Sequence, residues 1–156
     1  MQAGDFVLVE GFGTLSRLIE FGERIRDGKE ASRFSHAAWV MDDTGRVLEA
    51  LGKGICWGNI GAYKHFKVVD SGLSKEDRLQ ACHFAISQYG LRYGYVSIAS
   101  IIMNILTPPI IDFESTKSSI CSEFVARCLE HGGFIIPGHK AASQTMPSDL
   151  ATWFKC

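Results

Sequence analysis

The sequence predicts an α+β domain whose sheet is antiparallel. A strand and a helix come first, several strands follow as a meander, and helices fill the second half of the chain. This segregation of strands from helices favours α+β over a doubly wound α/β fold. With 156 residues, 46% of them hydrophobic, residues 1–156 are expected to form a single domain with its own core.

The first elements follow from short apolar runs. Phe6-Val7-Leu8-Val9 predicts a strand, and apolar residues from Leu15 to Ile25 recur at helical spacing. After a polar loop, Ser35 to Met41 and Arg46 to Leu51 flank Asp42-Asp43-Thr44-Gly45, whose residues suit a tight reversal. These two runs predict a β-hairpin.

Two further strands are expected before the helices. A weak strand lies near Ile55-Cys56-Trp57, and His65 to Asp70 form another. The glycines around the weak strand are interpreted as turn residues: Gly52, Gly54, Gly58 and Gly61.

The second half of the chain predicts four helices. Ser74 to Asp77 resemble a capping box that opens a helix ending near Gly90. A second helix runs from about Tyr95 to Leu106 and stops before two prolines. The third spans Ser118 to His131, and after a loop at 138–144 a short fourth helix follows from Pro147 to Phe154.

Bulk properties exclude several classes of protein. Sixteen basic and 17 acidic residues, with a net charge of −1, do not favour nucleic acid or an anionic membrane as a partner. The most apolar segment, Val96 to Leu106, is shorter than the roughly 18 residues that span a bilayer, so no integral membrane segment is expected.

The cysteines and the N-terminus bear on the compartment. Five cysteines at irregular spacings argue against a disulfide framework and for a reducing environment at synthesis. No secretory signal is visible after Met1, so we expect synthesis in the cytoplasm, with signal-independent delivery to the cell envelope as an open alternative.

Cys121 is the candidate nucleophile. The predicted helix places it in the first turn, where free backbone N–H groups and the helix dipole favour a thiolate. His36, in an apolar strand, is a candidate base, and Glu49, 13 positions later on the other arm of the hairpin, is a candidate orienting carboxylate. Together they supply the three groups that papain-like chemistry needs.

The ordered set of motifs resembles the permuted branch of the NlpC/P60 superfamily, particularly its YiiX-like members, in which the histidine strand precedes the cysteine helix. The motifs span most of the chain: Gly4-Asp5-Phe6-Val7-Leu8, Ser35-His36-Ala37-Ala38-Trp39-Val40 with Val47-Leu48-Glu49-Ala50, Gly90-Leu91-Arg92-Tyr93-Gly94-Tyr95, Cys121-Ser122-Glu123-Phe124 and Met146-Pro147-Ser148-Asp149-Leu150. The resemblance implies a papain-like fold, circularly permuted, with an antiparallel sheet packed on the nucleophile helix.

The resemblance also implies roles for individual residues. Cys121 would be the nucleophile, His36 the general base and then acid, and Glu49 the orienting residue. Tyr93 matches a tyrosine beside the active site whose hydroxyl could help to hold an oxyanion, with the backbone N–H of Cys121 as the first donor. Gly94 stands where an acidic residue often follows this tyrosine, and the apolar insertion from Val96 to Phe113 is a second departure.

Other interpretations of the same residues stay open. Taken alone, a cysteine among apolar helical neighbours is more often a core residue, and His36 could equally be a core histidine. Cys121, Cys128 and His131 share a helix face, but structural zinc usually takes two close pairs of ligands, so no metal is expected. Thiol chemistry of the papain type needs no cofactor, and none is expected.

The expected activity is hydrolysis of an amide bond through an acyl-enzyme on Cys121, with peptidoglycan-type peptides as the substrate class that the resemblance implies. A lipid-directed thioesterase or acyltransferase on the same residues is the nearest alternative, since Val96 to Leu106 could line an acyl groove. A non-catalytic binding module with an inert Cys121 is the third. The expected partner is therefore a peptide or an acyl substrate.

Overall fold

The computed structural model describes residues 1–11, 34–51, 53–91, 115–139 and 141–156. Its elements follow the predicted order: β1 (Phe6–Glu10), β2 (Phe34–Val40), β3 (Arg46–Leu51), β4 (Gly54–Asn59), β5 (Phe66–Val69), α1 (Lys75–Ser87), α2 (Ser115–His131) and α3 (Pro147–Trp153). Short 3₁₀ turns at Ile60–Ala62, Pro137–His139 and Ala142–Gln144 link them. The predicted helices over 15–25 and 95–106 lie outside the described residues.

The five strands form one antiparallel sheet in the order β4-β3-β2-β1-β5. The hairpin predicted from Ser35 to Leu51 is present as β2 and β3, and its turn is held by Asp42, whose Oδ1 accepts bonds from the backbone N–H groups of Thr44 and Arg46. The α+β class with an antiparallel sheet is confirmed.

Two apolar clusters lie on opposite faces of the sheet. Alternate residues of each strand point to opposite faces, so Phe6 and Leu8 face the helices, whereas Val7 and Val9 face away from them. The first cluster, the main core, joins the sheet to the three described helices through residues such as Trp39, Leu48, Phe124, Leu129 and Leu150. The second cluster consists of Val7, Val9, Ala38, Val40, Val47 and Tyr63.

Helix α1 begins where the sequence predicts. The Ser74 Oγ accepts the N–H of Asp77, and Glu76 and Asp77 place negative charge in the first turn, where the helix dipole favours it. Helix α3 begins with Pro147, whose missing N–H costs nothing in a first turn. Within the described ranges, no helix is both long and apolar enough to cross a bilayer.

Three local predictions need correction. The segment 138–144, predicted as loop, contains two 3₁₀ turns. Gly58, predicted as a turn residue, lies within β4 opposite Val47. Helix α2 begins at Ser115 and not at Ser118, because Ser115, Thr116 and Lys117 include neither proline nor glycine and are all compatible with a helix.

Candidate active site

The β2–β3 hairpin brings His36 and Glu49 together. The register pairs Trp39 with Leu48 and Val40 with Val47, so His36 and Glu49 are diagonal neighbours on the face of the second cluster. Nε2 of His36 lies 2.8 Å from Oε2 of Glu49, and both side chains are buried. The carboxylate thus holds Nε2, one of the two ring nitrogens of His36.

A β-bulge at Ser35 adjusts the strand beside His36. Val9 pairs with His36 and the next residue, Glu10, pairs with Phe34, so Ser35 is an extra residue on β2. The bulge breaks the alternation of side chains, which lets Phe34 join the main core while His36 faces the other side. A buried imidazole therefore lies at the end of an otherwise apolar strand.

Cys121 lies in α2, where the helix packs on β2, and its thiol interacts with the His36 imidazole. The described β2–β3 ladder ends at Trp39 and Leu48. Beyond that point the N–H of Ala37 donates to the Cys121 sulfur instead of to a strand. The thiol thus occupies the gap that opens between the two strands of the hairpin.

The position of Cys121 within its helix differs from the prediction. It is the seventh residue of α2, so it lies in the second turn and not in the first. Only the first four N–H groups of a helix lack a partner inside it. The N–H of Cys121 is therefore part of the helical ladder, and the prediction that it is a free oxyanion donor at the helix N-terminus was wrong.

The electrostatics of the pair favour a thiolate and an imidazolium. Burial opposes charge on the Cys121 sulfur, but the His36 charge and hydrogen bond, with the N–H groups of Ala37 and Ser122, outweigh it and lower the pKa of Cys121. Burial likewise lowers the pKa of His36, and the combined effect of Cys121 and Glu49 raises it to about 9. The mutual attraction of the thiolate and the imidazolium contributes to both shifts.

Glu49 is held as a carboxylate by two donors. Its burial raises its pKa, but the hydrogen bonds from His36 and from Tyr63 more than compensate, so that the pKa of Glu49 lies below its usual value. The Tyr63 hydroxyl donates to the same Oε2 atom at 2.9 Å. Its ring also meets the His36 ring edge-on, with centroids 6.0 Å apart.

Tyr63 and Gly58 were missed as site residues. A Cβ at Gly58 would lie 2.2 Å from Oε1 of Glu49, so only glycine leaves room for the carboxylate. Tyr63 directly follows the 3₁₀ turn after β4, in a segment that has no apolar periodicity. The one signal in the sequence for these two residues was a glycine near a short strand with an aromatic residue soon after it, since a glycine in a strand often marks the close approach of another group.

The sequence also suggests Tyr93, Cys128 and His131 as functional residues. Tyr93 lies outside the described residues, as does the 96–113 insertion. Cys128 is fully buried in the main core, where burial raises its pKa well above the usual value, and His131 stacks on Phe84 with ring centroids 3.7 Å apart. The described ranges contain no group of three or more His, Cys, Asp or Glu side chains placed to bind a metal ion.

Comparison with known proteins does not name a relative. No model of a protein family matches the chain, and no curated protein matches it either.

Proposed function

We propose that this chain is a papain-like cysteine hydrolase that cleaves an amide bond through an acyl-enzyme on Cys121. The proposal is supported above all by the buried array in which the Cys121 thiol, the His36 imidazole and the Glu49 carboxylate follow one another in contact. Structural ion pairs also shift pKa values, but a cysteine with a lowered pKa beside an imidazole has the chemistry of a nucleophile.

The order of elements agrees with a circularly permuted papain-like fold. The histidine lies on β2, which precedes the cysteine helix α2 in the chain, and α2 packs against the antiparallel sheet. The resemblance to the permuted NlpC/P60 branch makes peptidoglycan-type peptides the substrate class of the proposal. The segment that motivated a lipid substrate, Val96 to Leu106, lies outside the described residues.

The reaction proceeds in two halves. The Cys121 thiolate attacks the carbonyl carbon, and the tetrahedral intermediate collapses as the His36 imidazolium gives its proton to the leaving amine, which breaks the C–N bond. The neutral imidazole then takes a proton from water as the oxygen attacks the thioester. Collapse of the second intermediate releases the carboxylic acid and restores the thiolate beside the imidazolium. Glu49 orients the ring throughout and stabilises its positive charge whenever the ring is protonated.

Alkylation of Cys121 by iodoacetamide at pH 6 tests the proposal. We expect fast labelling in the native protein, located by mass spectrometry, and a loss of about tenfold or more in His36→Ala, because the thiolate then loses its counter-charge. Cys56 and Cys156 are partly exposed and serve as control thiols within the same chain. Labelling of Cys121 no faster than that of these two, or indifference to His36→Ala, would favour a non-catalytic binding module.

Hydrolysis itself is then measured with muropeptides and unrelated peptide amides as substrates. We expect cleavage that is abolished in Cys121→Ala. Accumulation of a long-chain acyl adduct on Cys121 without peptide cleavage would replace the peptidase proposal by the lipid-directed one.

A further inference from the structure

Oε2 of Glu49 is shared by two hydrogen-bond donors on different elements. His36 Nε2 approaches it from β2 at 2.8 Å, and the Tyr63 hydroxyl approaches it at 2.9 Å from the segment after β4. Oε1 of the same carboxylate faces Gly58. The two donors therefore fix Oε2, and the orientation of the carboxylate toward the imidazole depends in part on Tyr63.

The surroundings of Tyr63 are suited to holding this bond. Its side chain is buried, its ring packs edge-on against both His36 and Phe66, and it belongs to the second apolar cluster. Burial, together with the negative charge of Glu49, raises the pKa of Tyr63, so the hydroxyl keeps its proton and remains a donor. A buried hydroxyl donor without an acceptor costs free energy, so the Tyr63 hydroxyl favours the orientation of Glu49 in which Oε2 accepts its bond.

We propose that Tyr63 is a positioning residue, which acts through Glu49 to hold the His36 imidazole toward Cys121. This inference rests on the proposed thiolate–imidazole chemistry and adds to it a fourth residue that the sequence motifs do not include. If the hydroxyl is lost, Glu49 can turn about its terminal bond, the ring is less firmly held, and the imidazolium stabilises the thiolate less well.

The titratable groups that face the carboxylate are few among the described residues. They are His36 on β2, Cys56 directly opposite on β4, Lys53 at the β3–β4 turn, and Tyr63. Cys121 faces His36, and its charge also acts on Tyr63. Removal of the Tyr63 hydroxyl can therefore act on the reactivity of Cys121 by two routes, through Glu49 or directly on the thiolate. The experiment must distinguish between them.

A double-mutant cycle makes this separation. The rate of iodoacetamide alkylation of Cys121 is measured between about pH 4 and about pH 10. The four proteins compared are the native protein, Tyr63→Phe, Glu49→Ala and the double variant. We expect Tyr63→Phe to slow labelling at pH 6 by about tenfold and to move the acid limb of the profile to higher pH, since hydrogen bonds to charged groups are the stronger ones. In the Glu49→Ala background the same substitution is expected to change the rate less than about twofold.

The control is Tyr89→Phe, which removes the hydroxyl of an exposed tyrosine that has no part in the site and is expected to leave the profile unchanged. An unchanged profile in Tyr63→Phe, or an equal loss in both backgrounds, would overturn the positioning role and leave the proposed function intact. Slow labelling of the native protein would overturn both. Failure of Tyr63→Phe to fold, seen by circular dichroism, would show that the hydroxyl serves stability and would also overturn it.

Discussion

At the scale of single residues, the site depends on how one carboxylate is enclosed. Glu49 is buried between an imidazole and a phenol, and Gly58 provides the space for Oε1. A buried carboxylate without donors would take up a proton, which would end its use as a partner for an imidazolium. The donors on Oε2 and the missing side chain at Gly58 together keep Glu49 ionised and in place.

Gly58→Ala should therefore impair the site. The new Cβ would lie 2.2 Å from Oε1, so the carboxylate must leave the position in which it accepts from His36 and Tyr63. We expect alkylation of Cys121 at pH 6 to slow by about tenfold and the free energy of unfolding to fall by about 1–3 kcal/mol. Gly61→Ala is the matched control, because its Cβ would approach only Asn59 Oδ1, at 3.1 Å. Equal effects of the two substitutions would contradict the close approach.

The raised pKa of His36 gives a second prediction, on pH dependence. His36 must be protonated to donate to the leaving amine, and its pKa in the folded protein is about 9. Turnover of an amide substrate should therefore fall as the pH rises through about 9, whereas alkylation of Cys121, which needs only the thiolate, should not fall there. Parallel pH profiles of the two rates check this, and a common decline in both would contradict the assignment.

The same pair can be titrated directly. In Cys121→Ser the thiolate charge is absent while burial of the imidazole persists, so the pKa of His36 should fall from about 9 by about one unit or more. Long-range proton–nitrogen NMR spectra of the imidazole report this value. An unchanged pKa in Cys121→Ser would show that Glu49 alone raises it.

At the scale of elements, the site is made where regular structure ends. The β2–β3 ladder stops before His36, the bulge at Ser35 follows, and α2 places its second turn against the N–H of Ala37. Continuous pairing would have used that N–H within the sheet and closed the gap that holds the sulfur. The end of the ladder is thus as important to the site as the strands themselves.

Helix α1 offers a test of element stability away from the site. Ser74→Ala removes the side chain that accepts the N–H of Asp77 and should lower the free energy of unfolding by about 1 kcal/mol in urea titrations. Ser87→Ala, at the exposed end of the same helix, should change it by less than about 0.5 kcal/mol. Similar losses in both would mean that the N-cap does not stabilise α1.

At the scale of the whole molecule, an ion cluster with buried Asp5 and Arg78 at its centre joins the start of the sheet to α1. Arg78 donates to Asp5, at the start of β1, at 2.6 Å, and also to Asp70, after β5, and to the carbonyl of Leu73. Gly4, with a φ of +87°, passes so close to Arg78 that a Cβ would clash with it. The Gly4-Asp5 motif therefore has a structural explanation that is independent of chemistry at Cys121.

Arg78→Leu should be strongly destabilising. It leaves Asp5, only 4% exposed, without the guanidinium that donates to its Oδ1, and breaking a buried pair costs about 3 kcal/mol or more. Arg127→Leu is the control, since Arg127 forms an exposed pair with Glu123 within α2 and should cost less than about 1 kcal/mol. Urea unfolding measures both, and a small loss in Arg78→Leu would contradict the proposed joining role.

The sequence by itself determined the α+β class, the β2–β3 hairpin and both ends of α1 to within a few residues. These depend on local signals, namely alternation of apolar residues, turn residues and a capping serine, which act over a few positions. Cys121, His36 and Glu49 were candidates that the order of the motifs along the chain suggested. The sequence placed the start of α2 too late, because serine suits both a cap and a helix and only packing decides between them.

Only the tertiary structure decided how the site is enclosed. Tyr63 reaches Glu49 across 14 positions and Gly58 meets it across the β3–β4 pair, so neither role follows from a local pattern. The bulge at Ser35 and the N–H of Ala37 matter because α2 packs there from more than 80 residues further along the chain. Distances between strands and helices depend on the register and packing of the whole sheet, and no short segment of the chain contains that information.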